Sequence, residues 1–182
     1  MGPVSRRDFL FLASSIAGAI AVGASTWPFV AQMLPDQKRK NASTVDVNLE
    51  PITEGMAITV KWQGKPVVIR HRTPEEIKAA QQVTLQALKD PYARNANLEA
   101  SAYAYDDARS AGKGREKWII VVNICTHLGC IPTVKAGSYK GWFCPCHGSD
   151  YDTAGRIRSG PADKNLFIPP YQFLTDNVVR IG

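Results

Sequence analysis

The chain divides by polarity before any single residue is considered. Phe9 to Leu34 is 26 residues without a charge, and charges are frequent from Asp36 onward. At about 1.5 Å per residue the run makes roughly 39 Å of helix, enough to cross a hydrocarbon core of about 30 Å with some tilt. It is too long for a cleaved signal core of roughly 7–15 residues. The small residues Ala17-Gly18-Ala19 lie inside it and read as helix-packing surface, and Trp27-Pro28 as an interfacial aromatic with a local kink. Residues 35–45 are polar and aperiodic, and read as a linker that could act as a hinge.

From Asp46 the pattern is mostly that of strands. Ala57–Trp62, Gln63-Gly64 and Lys65–Arg70 predict a β-hairpin rich in Val and Ile. Thr73-Pro74-Glu75-Glu76 is a helix start: Thr73 caps, Pro74 suits the first turn and Glu76 completes a capping box. The helix is expected to run about four turns towards Leu88, with Ile77, Ala80, Leu85 and Leu88 facing the core. Lys89–Glu116 is polar and reads as a long surface insertion. Trp118–Ile124 predicts a buried strand. Short strands are expected at Gly141–Phe143, Arg156–Arg158, Phe167–Ile168, Tyr171–Leu174 and Val178–Ile181, punctuated by glycines. Many short strands with Gly and Pro turns imply an antiparallel sandwich or small barrel.

Composition changes this picture in two places. The net charge of +6 over 182 residues is mild, and its basic residues form no stripe interleaved with aromatics, so nucleic acid is a poor partner. The four Cys and two of the three His fall between positions 125 and 147. One box reads Cys125-Thr126-His127-Leu128-Gly129-Cys130, the other Cys144-Pro145-Cys146-His147-Gly148-Ser149. A tetrahedral zinc site would use two Cys and two His, but the Cys-x-His spacing is short for a finger and two Cys are left over. A pair of disulfides leaves both His unexplained. A 2Fe–2S cluster with two Cys on one iron and two His on the other uses every residue, with two Cys remaining for a disulfide. His71, flanked by Arg70 and Arg72, reads as a surface residue.

The two boxes resemble those of Rieske subunits of cytochrome bc complexes. Val60–Pro66, Arg70–Ile77 and Gly160-Pro161-Ala162 are similar to the bacterial and mitochondrial branch of that family. The resemblance implies an all-β, Rieske-type antiparallel β sandwich with one helix in an insertion, preceded by a single N-terminal transmembrane helix. It implies cluster ligands Cys125, His127, Cys144 and His147, and a disulfide between Cys130 and Cys146. Ser149 and Tyr151 are implied to tune one 2Fe–2S cluster through hydrogen bonds to its sulfurs. Leu128 is implied to dock onto cytochrome b, and Gly160-Pro161 to belong to a Pro loop over the cluster. His127 or His147 would accept a proton from quinol as the electron moves. The counter-readings are a turn Ser, a packed Tyr and ordinary Leu packing. Small arsenite oxidase subunits, Rieske ferredoxins and ring-hydroxylating oxygenases fit less well, because they lack the hairpin, the extra Cys pair or the anchor.

The ligand set suits quinol oxidation. The oxidised core carries 2+ and two thiolates neutralise it, so an added electron is held more easily than on a four-thiolate site. Ser5-Arg6-Arg7-Asp8-Phe9-Leu10 resembles a twin-arginine export signal, a route for folded proteins. Lys38, Arg39 and Lys40 balance Arg6 and Arg7, so the export motif, not the charge bias, orients the chain. The expected organisation is a signal region at 1–8, an anchor at 9–34, a hinge at 35–45 and a head at 46–182. The expected setting is the bacterial inner membrane with the head periplasmic. The implied role is a quinol–cytochrome c reductase subunit, inactive alone, which takes an electron from ubiquinol at cytochrome b. A membrane c-type cytochrome receives it, in a multi-subunit, dimeric complex that contributes to proton translocation.

Overall fold

The computed structural model describes residues 5–33 and 44–182. The chain divides into two compact units, residues 1–41 and 42–182. In the first, helix α1 spans Arg6–Met33, with Pro28 inside it. Every described α1 residue but one is exposed within the chain, and the helix is long and apolar enough to cross a membrane. Ser14, Ser15, Ser25 and Thr26 return their hydroxyls to carbonyls three or four residues earlier, which keeps those polar groups satisfied on an apolar cylinder. The hinge expected at 35–45 lies, but for its last two positions, outside the described residues.

The second unit holds ten described strands: β1 (Val45–Asn48), β2 (Ala57–Trp62), β3 (Lys65–His71), β4 (Trp118–Val122), β5 (Thr133–Val134), β6 (Lys140–Cys144), β7 (Ser149–Asp152), β8 (Ile157–Ser159), β9 (Tyr171–Phe173) and β10 (Val178–Ile181). They form three antiparallel sheets ordered β1-β10-β9, β2-β3-β4 and β5-β6-β7-β8. The β2–β3 hairpin turns at Gln63-Gly64, both at positive φ, as a two-residue loop requires.

One apolar cluster joins the first two sheets. Val47, Leu49, Ile52, Trp62, Val67, Ile69, Trp118, Ile120, Val122, Val179 and Ile181 are all buried in it. Alternation explains it, since Val67 and Ile69 face it while Val68 turns to a second cluster. That second cluster packs Val68, Ile119 and Val121 against Trp142, Tyr151, Ile157, Leu166 and Ile168, with Cys125 and Cys144 among them.

Several expectations need correction. The helix after Thr73, α2, covers only Pro74–Gln81, though its capping box is present. The Ala80 carbonyl accepts the Val83 amide and the Arg156 guanidinium, so the helical bond to Thr84 is replaced, and a 3₁₀ turn follows at Leu85–Ala87. Lys89–Glu116 is no surface insertion. Ala93, Asn95, Ala104, Asp106, Arg109 and Ser110 are buried, and a one-turn helix α3 spans Asp106–Arg109. Arg70 and Arg72 are buried beside Glu76 and Asp106. His71 is half-buried, its Nδ1 2.8 Å from the Ile52 carbonyl oxygen and its ring 4.4 Å from that of Trp118. Charge in the sequence suggested solvent there, but ion pairing carried these side chains inward. The strand from Trp118 ends at Val122, Phe167–Ile168 contributes only a single bridge to Asn95, and β5 and β7 were not anticipated.

A candidate iron–sulfur site between two loops

Two loops of matching geometry converge at one end of the second cluster. The first follows β4, and the second is the turn of the β6–β7 hairpin, where Cys144 pairs with Ser149. In each, the Cys carbonyl accepts the amide four residues on: Gly129 to Cys125 at 3.0 Å, and Gly148 to Cys144 at 3.0 Å. Both glycines have positive φ, near +79° and +77°, which lets each loop fold back on itself. Cys130 and Cys146 form a disulfide that ties the loops together.

Cys125 and Cys144 are free thiols, buried at the loop bases. The rings of His127 and His147 meet edge to face at 4.8 Å, His127 half-buried and His147 exposed. The Cys130, Cys144 and Cys146 sulfurs also lie within 4.8 Å of one another. That trio is not a ligand set, because two of its members are oxidised and offer no thiolate. The available donors are thus two thiols and two imidazoles, the mixed set a Rieske-type 2Fe–2S cluster takes. The site fits that group.

The hydrogen bonds around the donors favour a thiolate at Cys125. Burial pushes its thiol up, but hydrogen bonding with Tyr151, the His127 amide, Cys144 and Ser149 outweighs burial and leaves it below its usual value. Burial raises Cys144, and the nearby Cys125 adds to it. Burial likewise raises Tyr151, followed by its bond to Cys125, so the phenol stays protonated and can donate. Its oxygen lies 3.4 Å from Cys125 Sγ and accepts the Thr126 amide at 3.3 Å. Ser149 is fully buried, and its Oγ accepts the Ala162 amide at 3.1 Å.

Leu128, 69% exposed, stands between His127 and Gly129. Ile131 beyond the disulfide is 63% exposed, a second apolar tip residue not singled out from sequence. Gly160 and Pro161 are exposed, and Ala162 is buried. At Gly160, φ is +88° and a Cβ would sit 2.4 Å from the Gly148 carbonyl oxygen, so the Pro loop lies hard against the second box. Thr126 was also missed. Its hydroxyl donates to the Lys164 carbonyl at 2.7 Å and links the first box to the same loop. The sequence puts Thr126 inside the box but gives no sign of its partner.

Comparison with known proteins agrees with this geometry. The profile of the Rieske [2Fe-2S] domain matches residues 43–172, and that of the "Ubiquitinol-cytochrome C reductase Fe-S subunit TAT signal" matches residues 1–36. The ubiquinol–cytochrome c reductase iron–sulfur subunit of Bradyrhizobium diazoefficiens is 46% identical over 179 residues, 98% of this chain and 94% of the relative. That of Blastochloris viridis is 44% identical over 179 residues, 98% of this chain and 93% of the relative. A chain of a solved structure titled "Hyperthermophilic respiratory Complex III" shares the fold at a TM-score of 0.50 and 22% identity, over 92% of this chain and 97% of that one. With a Rieske [2Fe-2S] domain as its head and an apolar N-terminal helix, the chain belongs to the family of ubiquinol–cytochrome c reductase iron–sulfur subunits.

Proposed function

We propose that Cys125, His127, Cys144 and His147 hold the cluster, and that the head takes one electron from ubiquinol at cytochrome b and gives it to a membrane c-type cytochrome. The observation that carries this reading is the pairing of two buried free thiols with two adjoining imidazoles, between loops joined by a disulfide. Bound by such ligands, a 2Fe–2S cluster accepts one electron at a potential between about −150 and +300 mV.

The chain's own residues supply the rest. Tyr151 and Ser149 donate hydrogen bonds towards the Cys125 sulfur and the cluster, which favours the more negative, reduced state. An imidazole nitrogen of His127 or His147 accepts the hydrogen bond of quinol and keeps its proton. Leu128 covers that contact from water and seats the tip on cytochrome b. Cys130–Cys146 and the Gly160-Pro161 loop keep the two boxes in register.

Residues 1–8 serve as the twin-arginine region, 9–34 as a single-pass anchor and 35–45 as a hinge for the head, 46–182. The head is placed on the periplasmic side of the bacterial inner membrane, within a dimeric complex. Export of folded cargo supports this side, because a disulfide persists there.

Iron and acid-labile sulfide, at two each per chain, test the cofactor assignment, with a rhombic EPR signal of average g below 2 on reduction. Cys144→Ser and His147→Leu should each abolish that signal while an untouched head keeps it. Stoichiometric zinc without iron would defeat the reading. Tyr151→Phe and Ser149→Ala should lower the midpoint by several tens of millivolts, as a partial difference in a charged hydrogen bond of about 1.5–3 kcal/mol implies. An unmoved midpoint in both removes their tuning role.

A further inference from the structure

We infer that Lys89 is a positioning residue for the iron–sulfur site, acting through the Pro loop on the hydroxyl of Ser149. The inference rests on the proposed tuning role of Ser149. Lys89 belongs to the segment that the sequence presents as a long surface insertion. Its ammonium nevertheless donates to the Gly160 carbonyl at 2.6 Å and to the Ala162 carbonyl at 2.9 Å. These carbonyls flank the Ala162 amide, the group that donates to Ser149 Oγ.

The residues that follow hold the other end of the same loop. Asp90 Oδ2 accepts the Asn165 amide at 3.0 Å, and the Asp90 and Tyr92 carbonyls accept Asn165 Nδ2 at 3.0 and 2.8 Å. Asn165 Oδ1 in turn accepts the Ile157 amide on β8. Segment 89–92 is therefore a two-ended clamp on residues 160–165, and Lys89 is its end nearest the site.

The consequence for Ser149 is geometric. A serine hydroxyl has one hydrogen and two acceptor lone pairs. The Ala162 amide occupies a lone pair, which narrows the choice of rotor and leaves the hydrogen to donate away from the Pro loop. If residues 160–162 relax, the hydroxyl gains an alternative orientation and the site loses part of a donor. Lys89 touches no proposed ligand, and its side chain reaches solvent, so its removal leaves the buried core intact.

The test uses the full-length chain in its native membrane complex, with Lys89→Met, Lys89→Arg, Ser149→Ala and the double variant Lys89→Met/Ser149→Ala. Redox titration by EPR gives the midpoint, and hydrogen exchange of the purified complex reports residues 160–165. In Lys89→Met, Ala162 should exchange about tenfold faster, as loss of a charged hydrogen bond implies. The reduced-to-oxidised ratio at the wild-type midpoint should fall roughly threefold, equivalent to about 28 mV at 59 mV per tenfold. Lys89→Arg should restore most of both, and Lys89→Met should add nothing to Ser149→Ala. Faster exchange with a wild-type midpoint, or wild-type exchange, in Lys89→Met would overturn the inference. If Ser149→Ala itself leaves the midpoint unmoved, it is the tuning role of Ser149 that fails, and with it the route proposed for Lys89.

Discussion

The base of the head and the segment from Pro74 to Glu116 are stabilised by different physics. The base, where β1, β10 and β9 meet β2, β3 and β4, is apolar: its cluster runs from Val47 to Ile181 without a charged member. The segment is braced by buried charge. Arg72 pairs with Asp106, Arg156, itself paired with Asp152, donates to the carbonyls of Ala80 and Ala104, and Arg109 donates to the carbonyls of Ala93, Ala154 and Gly155. Burial lowers the Arg109 proton affinity, opposed first by Asp152. Apolar packing tolerates small changes of shape, whereas a buried ion depends on each partner. The segment is thus the more specific and the more fragile of the two; the base leads into the first box through β4, and the segment meets the Pro loop through Lys89.

The largest effect should come from Asp106→Ala, which leaves Arg72 buried without its carboxylate. The expected loss is about 3–5 kcal/mol, read from urea unfolding of the detergent-solubilised chain. Replacing Arg72 by Met and Asp106 by Leu together should recover most of it. A loss below 1 kcal/mol for Asp106→Ala would mean that the pair behaves as a surface bridge.

Next comes the covalent brace. Cys130→Ser with Cys146→Ser opens a loop of sequence separation 16 and should remove roughly 3 kcal/mol on the chain-entropy model. Cluster loss on dilution should quicken, and the head should unfold at a lower denaturant concentration. Native protein in which mass spectrometry finds both thiols free would contradict the structure.

In the base, Ile120→Val should cost about 0.5–1.5 kcal/mol, because a single methylene leaves a small gap among apolar neighbours. A cost as large as that of Asp106→Ala would erase the contrast between the regions.

The smallest expected effect concerns acid. Burial pushes the Asp90 carboxyl up, but Arg94 and the amides of Asn165 and Tyr92 outweigh it and hold it below its usual 3.8. A group whose folded value is depressed contributes stability above the unfolded value and loses it as pH falls through the folded one. Asp90→Asn should therefore melt below wild type at neutral pH, with the gap narrowing as pH falls below about 4. A gap independent of pH would exclude linkage at this residue.

This contrast also sets what could be read from sequence. The β2–β3 hairpin and β10 were legible because alternation and a Gln-Gly turn are local signals. The cysteine and histidine boxes were legible because their donor types and spacing exclude most other chemistry. The disulfide pairing came by resemblance, and the structure bears it out. Illegible were the partners that lie far along the chain: Asp106 for Arg72, Ala80 for Arg156, Gly160 for Lys89. Asp106 lies 34 residues beyond Arg72, and Glu76 near Arg70 read only as part of a helix cap, so a charged triplet around His71 looked like surface. The stop of α2 at Gln81 was hidden for the same reason, since Arg156 comes from β7–β8 to the Ala80 carbonyl.

The pairing of β1 with β10 has a consequence for the order of events during synthesis. Val45 is opposite Ile181 and Asn48 opposite Val178, so the first strand of the head waits for its partner until the last described strand has been made. Until then β1 is unpaired on both sides, and Val179 and Ile181 are missing from the apolar base. Such distant pairing slows folding, because the chain must close a long loop before any contact rewards it. The apolar base is therefore completed late, after every other described strand has been made. A nascent or truncated head leaves β1 without its partner strand and a gap in its base, and the pairing with β10 closes both.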